Sequence, residues 1–265
     1  MSELNGKHIL IVGASEGIGL ETAKECARRG ARLSLVARSE QIKDIVRELT
    51  ESQKHAGFCF DMSDIEKINQ FIGELVDMRG ALDGVVYCVG PQCVRPLKML
   101  KPEIVRQTME IGFGAYIELV RSVVKKGNYN QPMSIVSISS IAAQIGNPAK
   151  TVYAAMKAAT DAAIRCLAVE LAPKGIRLNS VKPGMVATKR LEELQNLVGS
   201  SQQLKETEEG VKQMCQELEE IYNEGVEKGE QFGFLRGEQS GKLKAKKETT
   251  LALLEMGMSS EQIAK

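Results

Sequence analysis

Histidine is scarce: His8 and His55 are the only two in 265 residues. Catalytic triads built on histidine and multi-histidine metal sites are close to excluded by that count, and no metal is expected. The six cysteines (Cys26, Cys59, Cys88, Cys93, Cys166 and Cys215) form no Cys-x-x-Cys pair and sit beside no histidine. Their spacing fits neither a zinc site nor a disulfide framework, so reduced thiols and a cytoplasmic location are expected. No apolar run approaches membrane-spanning length. The first residues show no basic segment leading into a long apolar one, so no secretory signal is expected either. Charge of one sign is also lacking. With a net charge of +1 the whole molecule offers no broad field for nucleic acid or an anionic membrane.

What is present is an ordinary globular composition, 43% hydrophobic and 26% charged, in a chain long enough for one large core with a small appendage. The two parts differ in charge. Residues 1–190 carry 26 Lys/Arg against 19 Asp/Glu, whereas residues 191–265 carry 9 against 15. Within the first part, short apolar blocks alternate with segments of helical period. Lys7–Val12, Ala31–Ala37, Gly57–Phe60, Gly84–Val89, Ser134–Ser139 and Arg177–Val181 read as strands. Helices are expected over about 20–29, 40–53, 64–78, 103–126 and 151–172. Such alternation predicts an α/β fold, a doubly wound parallel sheet with helices on both faces. A ligand crevice then lies beyond the carboxyl ends of the strands.

The residues with chemistry fall at those ends. Gly13-Ala-Ser15-Glu-Gly17-Ile18-Gly19 joins the first strand to the first helix, where bare amides and the helix dipole can hold a pyrophosphate. The second strand ends in Ala37-Arg38-Ser39, without the acid that would accept from an adenosine ribose. Arg38 could instead fork onto a 2′-phosphate, with Ser15 and Ser39 donating alongside, so NADP(H) is expected; a solvated strand-end arginine is the alternative. Asp61 ends the third strand, where it could accept from an adenine amino group or cap a helix with Ser63. Tyr153 and Lys157 lie one helical turn apart on one face. A phenol is a poor acid–base catalyst at neutral pH unless a nearby cation favours its phenolate. Tyrosine and lysine also fall at this spacing by chance. Ser140, at the end of a strand 13 residues earlier, adds a hydroxyl that could bond a substrate carbonyl oxygen.

Taken in order, Gly13–Gly19, Ser-Ile-Ser-Ser140, Tyr153-Ala-Ala-Met-Lys157 and Lys-Pro183-Gly184-Met-Val186-Ala-Thr188 resemble the short-chain dehydrogenase/reductases over about residues 5–190. The resemblance implies a Rossmann-type fold and hydride transfer between nicotinamide C4 and a carbonyl or alcohol carbon. It implies Ser140, Tyr153 and Lys157 as the catalytic set, Tyr153 protonating the oxygen, Ser140 orienting it and Lys157 holding the nicotinamide ribose. Gly13, Ser15, Gly17, Ile18, Gly19, Arg38, Ser39, Asp61, Met62, Cys88, Gly90, Pro183, Gly184, Val186 and Thr188, together with Tyr153 and Lys157, would line the cofactor. In that family the helices corresponding to about 103–126 and 151–172 pair across a twofold axis, which implies a homodimer.

This chain departs from the family in three places. Asn-Ala-Gly after the fourth strand reads Cys88-Val89-Gly90. The relay asparagine of the long helix is replaced by Ile111 or Gly112. Beyond Thr188 the family's substrate lid, further helix and last strand are not found, which argues against a tetramer. Residues 191–265 instead read as an acidic helical extension, a lid or an interaction segment, with Val211, Met214, Leu218 and Tyr222 at helical spacing. Tyr222–Glu230 and Leu253–Ala264 are similar to helical tails of a bacterial nuclease/transposase-like family, but no Asp/Glu–Lys nuclease core accompanies them. The leading expectation is an NADP(H)-dependent reductase of a small ketone, aldehyde or 3-oxoacyl-type substrate. The competing one is a catalytically silent NADP(H)-binding protein whose tail docks a partner.

Overall fold

The computed structural model describes residues 4–184 and 186. The expected extension over 191–265 and Thr188 lie outside the described residues. Six parallel strands form one sheet in the order β3-β2-β1-β4-β5-β6: β1 (His8–Val12), β2 (Arg32–Ala37), β3 (Ala56–Cys59), β4 (Leu82–Tyr87), β5 (Tyr129–Ile138) and β6 (Ile176–Val181). Between them run α1 (Gly17–Arg28), α2 (Ile42–Glu48), α3 (Ile65–Arg79), α4 (Pro102–Met109), α5 (Ala115–Val123) and α6 (Thr151–Leu171). This is the doubly wound architecture that the alternation predicts.

The strands are apolar blocks because each face is covered. All five residues of β1 are buried, as expected for a central parallel strand. On one face Ile9, Ile11, Leu33 and Leu35 pack against Ala23 and Ala27 of α1 and Ile42 and Val46 of α2. On the other face Leu10, Val12, Val85 and Ile135 meet Ile68 and Ile72 of α3, Tyr116 and Leu119 of α5 and Ile164 of α6. Small alanines on α1 let that helix lie close to the strands, while the larger α3 and α5 side chains fill the opposite layer.

Two expected helices differ. The helix expected over 40–53 stops at Glu48; Glu51 takes a left-handed φ of 56° and His55 turns inward. His55 Nδ1 accepts from the Leu33 amide at 3.2 Å, which ties this turn to β2. The long helix expected over 103–126 is interrupted by one π-helical turn at Glu110–Gly114, between α4 and α5. Among the described residues no helix is long and apolar enough to cross a membrane.

Candidate active and cofactor site

The switch in strand order beside β1 opens the crevice, with β1, β2 and α1 on one side and β4, β5 and β6 on the other. Gly13 leaves β1 with φ +82°, and its amide donates to Val36 O at 2.9 Å. A Cβ on Gly13 would also press against the Cys88 backbone at 3.2 Å. Glycine is therefore required twice over at this position. At Gly19 any side-chain carbon would run into the Gly13 carbonyl, so the first turn of α1 folds back onto the end of β1. Gly17 and Ile18 begin α1, and Ser15 lies half-buried in the turn before them. The helix N-terminus thus presents its free amides towards the crevice. Gly17, Ile18 and Val186 border one open cleft of about 640 Å³ that continues along α1 past Thr22 and Glu25. That cleft does not extend to Ser140 or Tyr153.

At the end of β2, Arg38 and Ser39 are exposed, and the Arg38 carbonyl accepts from the Cys59 thiol at 3.2 Å. Among the described residues no carboxylate pairs with the Arg38 guanidinium. The nearest acid in sequence, Glu40, is held by Lys43 at 2.5 Å. Lys43 first, and the Cys59 thiol second, keep the Glu40 carboxyl below the usual range. One oxygen of exposed Asp61 accepts from the Ser63 amide at 2.8 Å, and Met62 beside it is buried in the core. The residue that caps α3 is Asp64, through its position alone, since no side chain bonds the first turn.

The catalytic candidates gather where β4, β5 and α6 meet. Lys157 is 6% exposed, and its Nζ donates to Ile138 O at 2.7 Å, two residues before Ser140. The same Nζ lies 6.0 Å from the centre of the Tyr153 ring. Tyr153 itself is half-buried near the start of α6. Ser140 follows β5 in extended backbone, and its Oγ accepts from Ala142 N at 3.2 Å. Opposite, Gly90 lies under the lysine: a Cβ there would sit 2.7 Å from Nζ. Burial pushes the Cys88 thiol up to about 12, against the opposing pull of the Lys157 charge, so Cys88 is a neutral wall and not a nucleophile. Pro183 O accepts from Ile141 N at 3.0 Å, which brings the Pro183-Gly184 turn against the Ser140 segment. The structure therefore assembles Ser140, Tyr153, Lys157, Gly90 and Pro183 on one side and the glycine turn with Arg38 on the other.

Three features were missed by the sequence reading. Gly112 lies in the π turn with Met156 packed so closely that any Cβ would collide with its thioether. A side chain there would have to displace Met156. Tyr87, at the end of β4, donates through its hydroxyl to Ile111 O at 3.3 Å, which gives the turn's carbonyl a partner inside the core. Asp161, one turn after Lys157, is buried and pairs with Lys182 at 3.4 Å. A tyrosine ending an apolar strand was the one visible signal for Tyr87. Among the described residues no group of three metal-ligating side chains occurs.

Known proteins align with this same stretch of chain. The sequence profile for short chain dehydrogenases matches residues 7–198. The chain is similar to dehydrogenase/reductase SDR family member 7B of Xenopus tropicalis, 31% identical over 188 residues, 68% of this chain and 61% of that protein. It is similar to L-xylulose reductase of Mus musculus, 31% identical over 188 residues, 70% of this chain and 74% of that protein. Among solved structures, a dehydrogenase/reductase from Sinorhizobium meliloti 1021 superposes with a TM-score of 0.65 at 30% identity, over 70% of this chain and 75% of that one. The chain thus spans about three fifths of the length of the Xenopus relative.

Proposed function

The chain belongs to the short-chain dehydrogenase family, and on that premise we propose that it is an NADP(H)-dependent oxidoreductase reducing a carbonyl to an alcohol. The observation that carries the reading is the placement of Lys157. Its buried ammonium is anchored on Ile138 O, two residues from Ser140 and 6.0 Å from the Tyr153 ring. The cation is thereby held beside the Tyr153 ring by the strand end that leads to Ser140.

The residues present fit a dinucleotide. Gly13 and Gly19 leave no room for a Cβ, which keeps the turn through Ser15, Gly17 and Ile18 tight against the start of α1, whose first amides suit a pyrophosphate. Arg38 and Ser39 suit a 2′-phosphate, because the adjacent Glu40 is engaged by Lys43 and, among the described residues, no carboxylate pairs with Arg38. Asp61, Met62, Cys88, Gly90, Pro183, Gly184 and Val186 line the remaining path. When bound, the cofactor supplies the hydride for the carbonyl carbon. Ser140 holds the carbonyl oxygen through its hydroxyl, and Tyr153 transfers its phenolic proton to that oxygen as the C–O bond becomes an alcohol. Lys157 stabilises the phenolate left behind and bonds the nicotinamide ribose. Two molecules pair through the helices 102–123 and α6, where Val105 and Val169 are exposed.

Purified protein is expected to quench NADPH fluorescence on binding and to oxidise NADPH with at least one member of a ketone, aldehyde and 3-oxoacyl panel. A second reading, a silent NADP(H)-binding protein, draws on the π turn, where Ile111 or Gly112 stands in place of the relay asparagine. Tight NADPH binding without turnover on any member of the panel would favour it.

A further inference from the structure

Asp161 lies one turn beyond Lys157 on α6, facing the same interior. Its Oδ2 pairs with Lys182 Nζ at 3.4 Å, and that lysine also reaches Ser180 Oγ. The carboxylate is poorly compensated. Among the described residues its Oδ1 is buried without a hydrogen-bond partner, and so is the hydroxyl of Tyr116 on α5. Burial, and then the Asp161 charge, push the Tyr116 phenol well up, which places the two groups in one another's field. A pair whose carboxylate is buried with one oxygen unsatisfied, and whose lysine is partly exposed, adds little to stability. Its reason is better sought in what the pair connects.

Lys182 immediately precedes Pro183-Gly184. That turn is already bound to the Ser140 segment through Ser139 N to Val181 O at 2.8 Å and Ile141 N to Pro183 O at 3.0 Å. The Asp161–Lys182 pair supplies the tie on the other side, to the helix that carries Tyr153 and Lys157. We propose that Asp161 is a positioning residue: acting through Lys182, it fixes the Pro183-Gly184 turn relative to Lys157 and so sets the register of the nicotinamide end of the cofactor site. This rests on the functional reading above, in which both segments hold that end.

The test uses the full chain with Asp161→Asn, Lys182→Gln, the double variant and Lys182→Arg. Backbone amide exchange at Ser139 and Ile141 is read without cofactor, and NADPH affinity by fluorescence. Each neutralising variant is expected to speed exchange at both amides and to weaken NADPH about tenfold, a loss of about 1.4 kcal/mol. The double variant is expected to be no worse than the weaker single, because one interaction is lost in all three, and Lys182→Arg is expected to retain wild-type values. Unchanged exchange and affinity in folded Asp161→Asn, or additive losses in the double variant, would overturn the proposal. If Asp161→Asn does not fold, Lys182→Gln, on the more exposed partner, gives the same two readouts. A wild type that binds neither NADPH nor NADH would overturn the functional reading, while the exchange rates would still decide whether the tie exists.

Discussion

Gly90→Ala is the sharpest perturbation of the proposed chemistry, because a single added carbon meets the catalytic ammonium. A Cβ at this position would lie 2.7 Å from Lys157 Nζ, 3.1 Å from its Cε and 3.7 Å from Met156 Cε. Ordinary carbon–nitrogen contact needs about 3.5 Å, so the end of the lysine must shift by somewhat under 1 Å. Nζ is fixed by its 2.7 Å bond to Ile138 O, and a charge-assisted bond of this kind contributes about 1.5–3 kcal/mol. The side chain is flexible and can lengthen that bond without breaking it, so the loss of stability is expected at the low end, about 1 kcal/mol. For a domain of this size that lowers Tm by about 2–4 °C. Catalysis is more sensitive, since misplacing a reacting group by about 1 Å costs roughly 100-fold. Gly90→Ala is thus expected to melt within a few degrees of wild type while kcat falls about 10- to 100-fold, measured by differential scanning fluorimetry and NADPH oxidation. A variant with wild-type kcat would refute the placement of Lys157 as the working cation.

Arg38→Ala is expected to raise KM for NADPH roughly 10- to 100-fold, the loss of one charge-assisted fork, while leaving KM for NADH within about twofold. Equal effects on the two cofactors, in steady-state assays, would remove Arg38 from the 2′-phosphate site. His8 is fully buried, with Nδ1 facing the carbonyls of Gly80 and Ala81 and Nε2 facing Ser34 Oγ. Burial, and then the nearby Arg32 charge, hold its pKa below 6.5. The unfolded chain therefore takes up this proton first as pH falls. His8's contribution is complete above about pH 6.5 and is lost as pH drops towards its folded-state value, by at most about 1.4 kcal/mol per pH unit. Urea unfolding between pH 7.5 and 5 is expected to show a shallower pH dependence in His8→Gln than in wild type; equal slopes would contradict this.

The fold was legible because buried parallel strands read as uninterrupted apolar blocks, such as His8–Val12, and the helices between them keep a helical period. The glycine turn was legible because its spacing serves backbone needs that the structure shows at Gly13 and Gly19. The break at Glu110–Gly114 was not. Glu-Ile-Gly-Phe-Gly carries no proline and sits inside a helical pattern, and what fits the π turn is tertiary: Met156 against Gly112 and the Tyr87 hydroxyl on Ile111 O. Asp161 was hidden for a related reason. A charged residue one turn from another reads as an exposed face, and its partner Lys182 lies 21 positions away on another element. The end of the helix near Glu48 depended on His55 reaching β2 across 22 residues, which local propensity does not encode.

The central claim is that Tyr153 supplies the proton at a site built around Lys157. Tyr153→Phe removes one hydroxyl from a half-buried ring and leaves the glycine turn, Arg38 and Lys157 in place. Side by side with wild type, its NADPH affinity should stay within about threefold while turnover on the best carbonyl substrate falls by about 100-fold or more, within the range expected for loss of a general acid. Turnover equal to wild type at unchanged affinity would contradict the account.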